Sequence, residues 1–169
     1  GAKASVSERV WPFDGKGVGA PHEAKPTLIA ARDERGRTWL HLCCATPLGE
    51  GKSAAASRRT ADLLLGLGLD LEDAAFTEGE FRATALWYAI SWGRNHALAE
   101  QLLKRGAKPE HCLFAAAWNH DRAAIRILVA HGAKVEGDGP RGETPLLGAV
   151  GWSRFGPAEE LLEGGADPD

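Results

Sequence analysis

The chain of 169 residues has no methionine, one tyrosine and three cysteines, and neither sign of charge is in large excess. Each scarcity excludes something. With no Met even at position 1, the start is expected to be a cleaved or engineered end, which leaves open whether a leader preceded it. Three cysteines, two of them adjacent at Cys43 and Cys44, are an odd and badly spaced set for a disulfide framework and point to reduced thiols in a reducing compartment. The longest apolar runs, such as Leu63-Leu64-Leu65 and Ala115-Ala116-Ala117, fall far short of the ~20 residues that span a bilayer. The first eight residues also lack the apolar core of a secretory signal, so a cytoplasmic location is expected. Twenty Lys and Arg against 23 Asp and Glu leave a net charge of −3 with the signs interspersed. That leaves no basic field to hold nucleic acid or a membrane surface by charge alone.

What is present is the balance of one soluble globular domain, 44% hydrophobic against 25% charged, and within it a repeat. An apolar pair followed by glycine recurs at Leu64-Leu65-Gly66-Leu67-Gly68, Leu102-Leu103-Lys104-Arg105-Gly106, Leu128-Val129-Ala130-His131-Gly132 and Leu161-Leu162-Glu163-Gly164-Gly165. Gly68, Gly106, Gly132 and Gly165 are 38, 26 and 33 residues apart, a mean of 97/3 or about 32. A glycine here closes a helix, because it accepts the left-handed conformation of the last turn. Upstream of each ending lies a second short apolar segment: Thr38–Cys44, Thr84–Ala89, His111–Ala117 and Thr144–Ala149. Each repeat is therefore expected to be two short helices, the first capped by Thr or opened by Pro145.

Thr38-Trp39-Leu40-His41-Leu42, Thr144-Pro145-Leu146 and the glycine endings resemble the ankyrin repeat, whose signature is Thr-Pro-Leu-His-x-Ala-Ala, then a Leu-Leu helix and Gly-Ala-Asp, in a period of 33. Arg32–Thr38 resembles the turn that precedes such a repeat. The resemblance implies an all-α ankyrin-repeat solenoid of about four helix-turn-helix repeats over residues 27–169. Residues 1–26 are expected to be an irregular N-terminal segment, with Trp11, Phe13, Leu28 and Ile29 folding over the apolar flank of the first repeat as a cap. Departures from the period mark individual features. Thr38 to Gly68 is 30 residues where Thr144 to Gly165 is 21, placing about nine extra residues around 47–53 in an exposed loop. One further residue is extra near Arg94-Asn95-His96, and the turn over 72–83 is about four residues long. Between Gly106 and His111, by contrast, the projecting turn, or finger, is cut short at Lys108-Pro109-Glu110. At the other end, Gly164–Asp169 reads as the opening of another turn, which suggests a longer parent protein.

No motif for chemistry fits. Gly49-Glu50-Gly51-Lys52-Ser53 ends like a phosphate-binding loop but lacks the leading glycine, which would fall at Thr46, and the entering strand. His41, Cys43, Cys44, His111, Cys112 and His120 have neither Cys-x-x-Cys nor His-x-x-x-His spacing, so packing explains them better than metal. Without a nucleophile elbow or a metalloprotease helix, the expectation is a non-enzyme without cofactor.

The six tryptophans carry the functional expectation. Trp92, Trp118 and Trp152 fall within one position of the same slot at the end of a first helix, where the family's concave face lies, whereas Trp39 and Trp87 read as structural. Trp is enriched in binding hot spots because it offers a large rigid apolar surface and one donor. The expected partner-binding residues are Trp92, Trp118, Asn119, Trp152 and Arg154, with Glu34, Arg35 and Arg141 supplying rim charge on the fingers. The resemblance implies a monomeric module that binds another protein. The alternative is a regulatory or targeting segment of a larger enzyme.

Overall fold

The computed structural model describes residues 28–48, 53–137 and 142–169. The irregular segment expected over 1–26, the centre of the loop insertion at 49–52, and Arg141 lie outside the described residues. Within them are eight α-helices: α1 Trp39–Ala45, α2 Ala54–Gly66, α3 Ala85–Tyr88, α4 His96–Lys104, α5 Cys112–Trp118, α6 Arg122–Ala130, α7 Pro145–Gly151 and α8 Phe155–Glu163. Most begin where a short polar side chain serves the unpaired amides of the first turn. Asn95 Oδ1 accepts from the Leu98 N–H at 3.2 Å, Asp121 Oδ1 from Ala124 at 3.0 Å and Thr144 Oγ1 from Leu147 at 3.2 Å. The second helices stop where the glycine spacing predicts, with Gly68, Gly106, Gly132 and Gly165 at φ of 96, 96, 86 and 94°. Each closes the same way: the Gly106 N–H donates to Leu103 O at 2.9 Å and the Ala107 N–H to Leu102 O at 3.0 Å.

The helices pack as four successive pairs in two layers. In one layer α1 meets α3, α3 meets α5 and α5 meets α7; in the other α2 meets α4, α4 meets α6 and α6 meets α8. Leu40, Leu86, Ile90, Leu98, Leu102, Ile125, Leu128 and Leu161 are fully buried between them. Ala89, Ala99, Ala116, Ala124 and Ala149 are buried too, and their small side chains let the backbones approach. On the last pair the apolar side chains Leu147, Val150 and Leu162 stay exposed, 33 residues on from Phe114, Ala117 and Val129, which are buried or partly buried.

Two expectations need correcting. The chain is not all-α, because β1 Ala74–Glu78 and β2 Phe81–Thr84 form an antiparallel hairpin, with Ala74 opposite Thr84 and Glu78 opposite Phe81. The four or so extra residues of the 72–83 turn give the strands enough length to pair. Their aromatic and β-branched side chains suit a pleated surface, and Phe76 and Phe81 pack against each other and against Trp87, with ring centroids 5.7, 6.3 and 5.5 Å apart. The extra residue of the second pair is also not at 94–96. It is absorbed one turn earlier, in a π-helical turn over Ala89–Gly93 that continues α3 and is closed by the Asn95 N–H bonding Ala89 O at 3.1 Å.

Candidate functional site

In the last three pairs a tight turn joins the first helix to the second, and these turns lie side by side along one edge of the stack. Asn119 Nδ2 donates to Ser91 O at 2.7 Å and Ile90 O at 3.3 Å, and Arg94 Nη2 to Asn119 O at 3.4 Å. His96 Nε2 meets Asp121 Oδ2 at 2.7 Å. A Cβ placed on Gly156 would lie 3.3 Å from Arg122 Cδ and 3.4 Å from His120 Nε2. Each turn passes through a left-handed residue that is not glycine: Arg94 at φ 46°, His120 at 58° and Ser153 at 56°.

The expected tryptophans lie on this edge. Trp92 is 51% exposed and Trp118 55%, while Trp152 is half-buried. Trp118 and Trp152 meet edge to face at 4.7 Å, and Phe114 meets Trp152 in the same way at 5.1 Å. Gly148 makes this possible, since a Cβ there would lie 2.9 Å from Phe114 Cζ and 3.1 Å from Trp152 Cη2. The structure thus brings Trp118 and Trp152 together over Phe114, and Trp92 stands one turn away, linked through Asn119. Asn119 itself is turned onto the carbonyls of Ile90 and Ser91. Arg154 is half-buried at the start of α8, and its Nε is buried without an acceptor. Glu34 and Arg35 are exposed on the first linking turn, away from the tryptophans, where Asp33 Oδ1 accepts the Arg35 N–H at 2.9 Å.

Sequence reasoning missed Phe114, Gly148, Arg94 and His120. The available signal was a basic residue two places after each tryptophan: Trp92-Gly93-Arg94, Trp118-Asn119-His120 and Trp152-Ser153-Arg154. The acidic groups along this edge are already engaged. Asp121 is buried, caps α6 and meets His96. Glu160, also buried, accepts from Arg126 Nε at 2.8 Å and Arg122 Nε at 2.9 Å. The hydrogen bonds from Arg126, then those from Arg122, outweigh desolvation and hold the Glu160 carboxyl down to about 2.

Elsewhere the titratable groups serve packing. His41 Nδ1 accepts the Thr38 N–H at 3.1 Å, which leaves Nε2 to donate to Asp73 O at 3.0 Å. Burial lowers the His41 pKa below its usual 6.5 and keeps the ring neutral. Burial also pushes the Cys43 thiol up to about 12 and raises those of Cys44 and Cys112, the opposite of a reactive cysteine. Where the projecting turn is cut short, Glu72, Arg82, Thr84, Lys108, Glu110 and His111 line an open cleft of about 470 Å³. Among the described residues no three His, Cys, Asp or Glu side chains converge as metal ligands, and no helix is long and apolar enough to cross a membrane. No protein-family model matches the chain, and no curated protein matches it.

Proposed function

We propose that this chain is an ankyrin-repeat solenoid that binds another protein, without catalysis or a cofactor, as a cytoplasmic monomer. The fold reading is supported by the succession of helix pairs, each second helix closed by glycine at the repeated position. One observation carries the functional reading: Trp92 and Trp118, each more than half exposed on adjacent turns, with Trp152 and Phe114 beneath Trp118. A rigid aromatic held by its neighbours loses little entropy when a partner covers it, which is why such residues dominate interfaces. The test is capture of partners from a cell extract by immobilised chain. Trp118→Ala should cost about 2 kcal/mol of binding or more, while its far-UV spectrum and melting temperature change little. Retention of the same proteins at the same strength by Trp92→Ala and Trp118→Ala would refute the assignment.

A second reading, a regulatory or targeting segment of a larger enzyme, draws on Leu147, Val150 and Leu162, an apolar face on the last pair that a further domain can cover. The parent reading frame decides it. A frame that starts just before Gly1 and stops after Asp169 removes this reading.

A further inference from the structure

We propose that the tryptophan edge is built for an acidic, apolar segment of the partner protein, in which Asp or Glu side chains alternate with large apolar ones. The inference rests on the protein-binding reading above and specifies the partner's chemistry. Its foundation is the threefold recurrence of a tryptophan followed two residues later by a basic side chain, at 92/94, 118/120 and 152/154. Adjacent turns thus present an apolar plate and a basic group together, and the turns are held side by side by the Asn119 and Arg94 hydrogen bonds.

Three physical observations give this row its sign. Arg94 and His120 are exposed, and among the described residues neither Arg94 nor Arg154 has a carboxylate partner. The carboxylates nearby are committed: Asp121 to His96, Glu160 to Arg122 and Arg126, and Glu159 lies 3.6 Å from Arg122. Arg154 Nε is already stripped of solvent with nothing to accept its proton, so an anion arriving at that guanidinium finds a cation that has lost part of its hydration. The nine-residue helices α4, α6 and α8 also all start on this edge, and their positive dipole ends add to the same field.

The backbone points the same way. Arg94 and His120 sit at positive φ, where a non-glycine side chain costs about 1 kcal/mol, yet the second helices of the same chain use glycine at the corresponding ends. All three turns of this edge keep a side chain at that position, two of them basic, where the second helices keep none. A polynucleotide fits less well. Among the described residues of the row two arginines, Arg94 and Arg154, lack a carboxylate partner, too few to neutralise a run of phosphates, and the whole chain carries a net charge of −3.

The probes are four labelled ligands: a twelve-residue peptide alternating Glu with Leu and Phe, the same peptide with Ser for Glu, the same with Lys for Glu, and a twelve-nucleotide oligothymidylate. Each is titrated into the intact chain, followed by anisotropy and by the emission of the exposed tryptophans. The Glu peptide should bind and shift the tryptophan emission, and the Ser peptide should bind about tenfold more weakly or worse. Arg94→Glu, at an exposed position, should cost about tenfold with an unchanged melting temperature. Arg154→Gln should act in the same direction, and added salt should weaken the Glu peptide selectively. Equal binding of the Ser peptide, lost in Trp118→Ala, would overturn the acidic preference and leave the protein-binding reading standing. Preference for the Lys peptide or for oligothymidylate would overturn the proposal outright, as would no tryptophan response to any peptide.

Discussion

The two edges of the helix stack treat charge and backbone differently. Along the edge where one pair links to the next, several charged groups are engaged internally. Arg32 Nη2 holds Asp73 Oδ1 at 2.7 Å while its Nη1 donates to Gly36 O at the same distance, and Arg37 Nε meets Asp33 Oδ2 at 2.8 Å. Arg82 reaches Glu72 O at 2.9 Å, and the Glu72 carboxylate takes the Lys108 N–H at 3.0 Å. On this side the left-handed positions that close the second helices are glycine, and His111, the N-cap of α5 at φ 64°, is the one non-glycine among the described residues. On the turn edge the left-handed positions are Arg94, His120 and Ser153, Arg94 and Arg154 have no carboxylate partner among the described residues, and Trp92 and Trp118 are exposed. One edge engages many of its charged groups in holding the fold, and the other leaves Arg94 exposed beside Trp92 and Trp118.

The sharpest way to break the comparison is to damage the linking edge. Gly36 has φ of 75°, and a Cβ there would run into the carbonyl oxygen of Ala75. Gly36→Ala should therefore lower stability by about 2–4 kcal/mol in urea titration, from backbone strain plus an enforced shift of β1. Gly151→Ala, at the end of α7 where a Cβ meets nothing, should be neutral or raise stability by up to about 1 kcal/mol. Comparable losses at both would erase the distinction between the edges.

Acid should separate the edges by pH. His41 is held neutral by burial, with its pKa below 6.5, so at lower pH the unfolded chain takes a proton that the folded one refuses. Its contribution is complete above about 6.5 and falls as pH drops below that value. Glu160 has the depressed pKa of an engaged carboxylate, so its contribution is present above 4.5 and is lost between 4.5 and about 2. Melting temperatures should decline first from pH 6.5 downward, a decline abolished in His41→Gln, and again below 4.5, a step missing from Glu160→Gln. A single step shared by both variants would show that the edges do not titrate independently. Next in size is Arg32→Ala: the ion pair with Asp73 is partly exposed, so its removal should cost about 1 kcal/mol, a difference that narrows at high salt because screening weakens the pair in the wild type.

Much of this was legible from the sequence because helix ends are local. Gly68, Gly106, Gly132 and Gly165 mark their turns by a conformation that other residues adopt only at a cost, and the spacing counts the pairs. The long turn over 72–83 and the short one at 108–110 were likewise visible as lengths. Strand pairing was not, because length alone does not say that Ala74 faces Thr84. Neither was the π-helical turn, since one extra residue can be absorbed anywhere between Thr84 and Asn95 and the choice fell where Gly93 packs against the Cys44 carbonyl. At the site, the tryptophan slots were readable. What Asn119 does was not, because its amide is taken by carbonyls 28 and 29 residues earlier. In the sequence Arg94 reads only as part of a one-residue extension and His120 only as packing, because their left-handed backbone and their exposure are properties of the folded chain.

The smallest expected effect discriminates best between folding and function. Arg94 makes one long hydrogen bond, 3.4 Å to Asn119 O, is otherwise exposed, and holds φ at 46° and ψ at 37°. Replacing it by glycine removes a side chain that contributes little to packing and relieves a conformation disfavoured for any residue with a Cβ. Glycine's greater freedom in the unfolded chain offsets part of the gain. Arg94→Gly is therefore expected to be more stable by about 0.5 kcal/mol, measured as an urea midpoint shifted upward at unchanged slope. The same variant should bind the acidic peptide more weakly, because the turn keeps its shape and loses its charge. Arg94→Lys provides the control: it retains the charge and the strain, so its stability should match the wild type and its peptide binding should be largely preserved, apart from the geometry that a guanidinium fork supplies and an ammonium does not. If Arg94→Gly is destabilised by more than about 1 kcal/mol, the arginine serves the fold, and the contrast between the two edges of the stack fails at the residue chosen to define it.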